Sequence, residues 1–107
     1  MISTHILDLQ SGTPAPQVPV RLERRDGTTW KLVAEAPTDQ DGRIAFKDEL
    51  QPGTHRLIFF VRKHLEAKGT RPFFTEIPVP FEVSEPARKL HVPLLLSPYG
   101  YSTYRGS

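Results

Sequence analysis

His91-Val92-Pro93-Leu94-Leu95-Leu96-Ser97-Pro98-Tyr99-Gly100-Tyr101-Ser102-Thr103 reads as two β-strands joined by a tight turn. Side chains alternate along a strand, so Leu90, Val92, Leu94 and Leu96 point one way and His91, Pro93 and Leu95 the other. The first face is a natural core. The second sets an imidazole beside apolar neighbours on a surface that one sandwich cannot itself bury, which predicts association of subunits. By the same alternation Ser102 and Tyr104 share one face of the last strand. The run ends in Tyr104-Arg105-Gly106-Ser107. Termini usually fray, so a strand that carries Tyr, Arg and Ser to its last residue points to a C-terminus anchored in a site.

Working back from that hairpin, 11 prolines and 7 glycines punctuate the chain at short intervals, with Val, Ile, Leu, Phe, Tyr and Thr between them. This is an all-β pattern of short strands. The spacing predicts strands over Ser3–Asp8, Val20–Arg25, Trp30–Ala36, Arg43–Phe46, His55–Val61, Thr75–Phe81, Lys89–Leu96 and Tyr101–Arg105. Eight such strands suit a two-layer antiparallel sandwich. Arg62 to Lys68 lacks Pro, Gly and β-branched residues and is followed by Gly69, which predicts one short helix. Asp26-Gly27 fits a hairpin turn, and Ser11 to Pro16 reads as a loop.

The length of 107 residues fits a single domain, 1–107, with a core of its own. Without cysteine there is neither a disulfide framework nor a thiolate zinc site, and nothing calls for an oxidising compartment. The chain enters strand-like pattern at once, with no leader-like segment and no apolar stretch near the roughly 20 residues of a membrane span. A cytoplasmic location is expected. The net charge of +2 is too small an excess to propose nucleic acid. Arg24-Arg25 and Arg62-Lys63-His64 read as solvated basic faces.

Taken alone, His5 in the first strand is an ordinary polar residue or a functional one, and His91 is a hydrogen-bonded interface residue or a catalytic one. Arg43 ends the segment Thr38-Asp39-Gln40-Asp41-Gly42-Arg43, whose composition also suits a plain turn. The spacing does not fit an EF-hand. His-Glu-x-x-His, His-x-His and Gly-x-Ser-x-Gly are all missing, so the residue set fits water activation without a metal or other cofactor. His55 and His64 match no motif and read as bystanders.

Ser3-Thr4-His5-Ile6-Leu7-Asp8, Thr38-Asp39-x-x-Gly42-Arg43, Leu90-His91-Val92-Pro93-Leu94 and the terminal Tyr104-Arg105-Gly106-Ser107 together resemble the 5-hydroxyisourate hydrolases of the transthyretin-like family, over nearly the whole chain. The resemblance implies the prealbumin-like sandwich and hydrolysis of 5-hydroxyisourate to 2-oxo-4-hydroxy-4-carboxy-5-ureidoimidazoline in urate catabolism. It also implies a site of His5, Arg43, His91, Tyr104 and Ser107, with His5, Arg43 and Tyr104 binding substrate and Arg105 structural. A homotetramer, two dimers around a central channel that holds the sites, is implied as well, with no nucleic acid or membrane partner. The alternative is a small-ligand carrier of the transthyretin type, which has the same fold but lacks the two histidines and the terminal tetrapeptide. A third reading, an interaction domain of a larger enzyme, leaves that tetrapeptide unexplained.

Overall fold

The computed structural model describes residues 1–86 and 88–106. In chain order its elements are β1 (Ile2–Asp8), β2 (Thr13–Pro14), β3 (Pro19–Asp26), β4 (Thr29–Pro37), β5 (Arg43–Phe46), β6 (Gly53–Phe60), α1 (Arg62–Ala67), β7 (Glu76–Val83), β8 (Leu90–His91), β9 (Leu94–Ser97) and β10 (Gly100–Thr103). They form two sheets. One has the order β4-β3-β6-β7, all antiparallel. In the other, β1 is central, pairing with β5 and the two-residue β2 in antiparallel fashion and with β8 and β9 in parallel, and β10 closes the far edge against β9.

All eight expected strands are present, with four local differences. Thr13–Pro14, expected within a loop, pairs with Leu7 and Asp8 as the short strand β2. The strand expected over Lys89–Leu96 is split in two at Val92-Pro93, although the register against β1 runs through unbroken, Ile2 opposite Leu90 and Ile6 opposite Leu94. Proline has no N–H to give to the ladder. Pairing is also not wholly antiparallel, because β1 and β8–β9 enter the sheet from opposite ends of the chain rather than through a hairpin. Finally, the last strand stops at Thr103, so Tyr104 and Arg105 lie beyond it.

Alternation sorts the side chains as the pattern predicts. Along β1, Ile2, Thr4, Ile6 and Asp8 are buried while Ser3, His5 and Leu7 are half-buried. Leu94 and Leu96 join Ile2, Ile6, Leu22, Leu57, Phe59 and Ile77 in the core between the sheets. The β3–β4 hairpin turns where expected, with Gly27 at φ 64°, a conformation that glycine adopts without the penalty a Cβ would bring.

His64 departs from the expected solvated basic face. Its neighbours Arg62 and Lys63 are exposed, but its own side chain is only 7% exposed and its Nε2 lies 2.8 Å from Asp8 Oδ2. Asp8 Oδ1 accepts the backbone N–H groups of Gln10 and Ser11 at 2.9 and 3.3 Å. The last residue of β1 thus ties the following turn and α1 to the sheet. Burial works to raise the Asp8 pKa, but the His64 hydrogen bond, the two N–H donors and the His64 charge outweigh it and hold the carboxyl below its ordinary 3.8.

A depressed carboxyl pKa stabilises the fold above the unfolded value, and the contribution disappears as pH falls through the folded value. Asp8→Asn should therefore cost about 2 kcal/mol at pH 7, with the gap to wild type narrowing below about pH 4. Urea unfolding at pH 7 and pH 3 checks this; a gap that does not narrow would show that the carboxylate charge is not what stabilises the turn.

Candidate active site

The odd-numbered residues of β1 carry the expected site chemistry on the outer face of its sheet. His5 stands directly opposite Arg43 of β5, and Ser3 stands opposite Ala45 of β5 on one side and His91 of β8 on the other. Residues facing each other across a ladder project from the same face of the sheet. His5, Arg43 and His91 are therefore brought to one surface, although 86 positions separate the two histidines in number. The Ser3 hydroxyl sits 2.8 Å from Nδ1 of His91. His5 Nε2 is sealed from solvent by the chain and has no hydrogen-bond partner among the described residues. A buried, unpaired polar atom costs about 1–3 kcal/mol, and such atoms occur where a ligand or a catalytic step supplies the partner.

The segment before Arg43 positions it in detail. Thr38 is fully buried; its hydroxyl donates to the Ala15 carbonyl at 2.7 Å and accepts the Val18 N–H at 2.9 Å. Asp39 Oδ1 accepts the N–H groups of Asp41 and Arg43, both at 2.9 Å, and the Asp39 N–H returns to the Arg43 carbonyl at 3.0 Å. Gly42 has φ 73°, and a Cβ there would lie 2.7 Å from the Ile6 carbonyl oxygen. Its own carbonyl accepts the Ile6 N–H at 2.8 Å. Thr, Asp and Gly of the motif are thus the fixture, and Arg43 is the group that it presents beside His5, exposed to solvent.

The C-terminal segment folds back over His91. The Gly106 N–H donates to the His91 carbonyl at 2.7 Å. A Cβ on Gly106 would stand 2.7 Å from His91 Cδ2 and 3.3 Å from Cγ, so the glycine lies against the imidazole itself. Tyr104 is 56% exposed. With Val79, Phe81, Leu90, Val92 and Thr103 it lines a cleft of about 260 Å³ between the edges of the two sheets. That cleft borders the Leu90 side of β8, whereas His91 projects from the other side, so the cleft and the histidine face are separate features. Ser107 lies outside the described residues. Of the five expected site residues, the fold thus gathers His5, Arg43 and His91, and it sets Tyr104 at the margin.

Two imidazoles and a guanidinium on one face can exchange protons with a water and bind a polar, electron-rich edge. Among the described residues no three His, Asp or Glu side chains gather as a metal site. The sequence reading missed Ser3 as a partner of His91. The only local signal was its two-residue offset from His5, which places both on one face of a strand. It also missed the Asp8–His64 pair, which no local pattern announces.

A family model described as the HIUase/Transthyretin family matches residues 2–106. The chain belongs to this family. Within it, the chain is 48% identical over 110 residues to a protein of Salmonella typhimurium named 5-hydroxyisourate hydrolase, covering 100% of this chain and 81% of that one. Among solved structures, 5-hydroxyisourate hydrolase of Klebsiella pneumoniae superposes with a TM-score of 0.87 at 37% identity, covering 99% of this chain and 97% of that one. Sea bream transthyretin in complex with thyroxine superposes with a TM-score of 0.90 at 28% identity, covering 98% and 93%. The backbone of the HIUase/Transthyretin family is thus common to enzyme and carrier, and the sandwich by itself does not choose between them. Sequence identity, higher to the hydrolases than to the thyroxine-bound protein, does distinguish them.

Proposed function

We propose that this chain is a 5-hydroxyisourate hydrolase of urate degradation, working at the face shared by β1, β5 and β8. The observation that carries the site assignment is the register that sets His5 opposite Arg43 with His91 two positions along the same face. The reaction joins a water oxygen to a ring carbonyl carbon, breaks the carbon–nitrogen bond of the cyclic amide and moves a proton to the leaving nitrogen. The product is 2-oxo-4-hydroxy-4-carboxy-5-ureidoimidazoline. Imidazole is suited to both proton movements near neutral pH.

His5 and His91 orient and deprotonate the water, and one of them returns a proton to the ring nitrogen. Arg43 binds the polar edge of the substrate through its fork of donors and stabilises charge developing on the carbonyl oxygen. Tyr104 and Ser107 position the ring, and Arg105 is structural. The chemistry assigned here uses side chains alone and calls on no cofactor. Residues 1–107 act as one domain.

A homotetramer, a dimer of dimers with sites at a central channel, belongs to the same reading. Two features support it: the outer face of the β1 sheet carries half-buried Leu7 and Leu95 around His5, and Leu9 and Tyr99 are exposed large apolar side chains. Light scattering in solution should return four copies; a folded monomer would contradict it. We assign the protein to the cytoplasm, since a chain without cysteine needs no oxidising compartment. No helix among the described residues is long and apolar enough to cross a membrane.

Product analysis separates enzyme from carrier. 5-Hydroxyisourate made in place from urate and urate oxidase should give the ring-opened acid, one water heavier, within the time in which the protein-free control remains mostly unreacted. If the product appears no sooner and calorimetry shows thyroxine binding instead, the carrier reading replaces this one.

A further inference from the structure

Beyond the three side chains that the face gathers, His5, Arg43 and His91, one more polar group reaches it, and it touches an imidazole rather than the open face. Resting on the hydrolase reading, we infer that Ser3 is a positioning residue that fixes the tautomer of His91, holding a proton on Nδ1 so that Nε2 presents its lone pair to the attacking water.

The geometry restricts His91 on three sides. The Ser3 hydroxyl lies 2.8 Å from Nδ1. The backbone beneath is fixed by the parallel ladder, in which Ser3 and His91 are direct partners and the Ser3 carbonyl accepts the Val92 N–H at 3.0 Å. Gly106 packs on the Cδ2 edge, while its N–H holds the His91 carbonyl at 2.7 Å. Nδ1 is therefore occupied and the ring plane is constrained, which leaves Nε2 as the nitrogen available for chemistry.

A serine hydroxyl can accept from Nδ1–H as readily as it can donate to a bare Nδ1. Only the first arrangement leaves Nε2 able to take a proton, and the Nδ1–H to hydroxyl bond strengthens as the ring becomes imidazolium. This matches the general logic by which the partner of one imidazole nitrogen sets what the other can do. Among the described residues the other charged or titratable groups of that face are His5 on β1 and Arg43 on β5, with Tyr104 and Arg105 in the segment that leads to Gly106. Among the described residues Ser3 is the group that meets Nδ1, so its hydroxyl is what holds the proton there in the tautomer that leaves Nε2 free to act as base.

The test compares Ser3→Ala, Ser3→Thr and His91→Ala in the full-length protein with 5-hydroxyisourate as substrate. Ser3→Ala should lower kcat about tenfold with KM little changed, and the acidic limb of its kcat profile should move to lower pH because the imidazolium has lost its acceptor. Ser3→Thr keeps the hydroxyl on a backbone that tolerates β-branching and should restore both rate and limb. Wild-type kinetics in Ser3→Ala, or a limb that stays put or moves upward, overturns the inference while leaving the site standing if His91→Ala is inactive. Full activity in His91→Ala, or an inactive wild type, removes the underlying reading and the inference with it. Should Ser3→Ala fold poorly, long-range nitrogen–proton spectra of the wild-type histidines decide. His91 is expected to carry its proton on Nδ1 when neutral, and a proton on Nε2 overturns the proposal.

Discussion

His5→Ala and His91→Ala should each lower kcat/KM for 5-hydroxyisourate by about a thousandfold, the middle of the range that a positioned acid or base contributes. Neither change should unfold the chain. Both histidines are half-buried on the outer face of the β1 sheet, while the core beneath is made by their neighbours Ile2, Ile6, Val92 and Leu94. His5→Ala also removes a buried nitrogen that has no partner among the described residues, so its stability should stay level or rise slightly. That opposition, activity lost while stability is kept, is what separates a catalytic imidazole from one retained for packing. Circular dichroism and thermal melting alongside the kinetics read both sides. Full activity in both variants would contradict the assignment of the face.

Gly106→Ala is expected to have the second-largest effect, about a hundredfold on kcat, from the addition of a single methyl group. Gly106 does not have the positive φ that disfavours a side chain, so the expected cause is steric contact. The new Cβ would lie 2.7 Å from His91 Cδ2 and 3.3 Å from the His91 carbonyl oxygen. Either the imidazole turns away from the Ser3 hydroxyl or the terminal segment lifts and gives up its 2.7 Å hydrogen bond. Both outcomes disturb the ring to which the proposed mechanism gives the attacking water. Because Gly106 lies past the last strand, the melting temperature should change little. Wild-type activity in Gly106→Ala would mean that the tail does not position His91.

Most of the sandwich was legible because short strands with alternating burial leave a period of two in the sequence. Arg43–Phe46 was read to the residue, and the turn at Asp26-Gly27 announced itself through a glycine that takes a positive φ. The break at Val92-Pro93 was not foreseen, since the pattern of apolar residues runs straight through Pro93, and the survival of the register across it depends on β1, far away in the chain. The parallel pairing of β1 with β8 and β9 carries no local signature at all, since no hairpin joins them. For that reason the contact of Ser3 with His91 was hidden, though both residues stood within motifs already singled out.

The motifs themselves also hold two kinds of residue that spacing alone does not separate. Thr38, Asp39 and Gly42 are spent on the turn, while Arg43 is presented by it. Asp8 closes the first motif not as a site residue but as the anchor of α1 through His64. The exposed position of Tyr104 beside a separate cleft likewise followed from where β10 ends, which strand periodicity fixes only to within a few residues.

The most direct measurement is the ultraviolet decay of 5-hydroxyisourate, generated from urate by urate oxidase, with and without the wild-type protein and with His91→Ala at equal concentration. Decay should accelerate in proportion to wild-type protein and return to the spontaneous rate with His91→Ala. Spontaneous decay in the presence of well-folded wild-type protein would contradict the hydrolase reading.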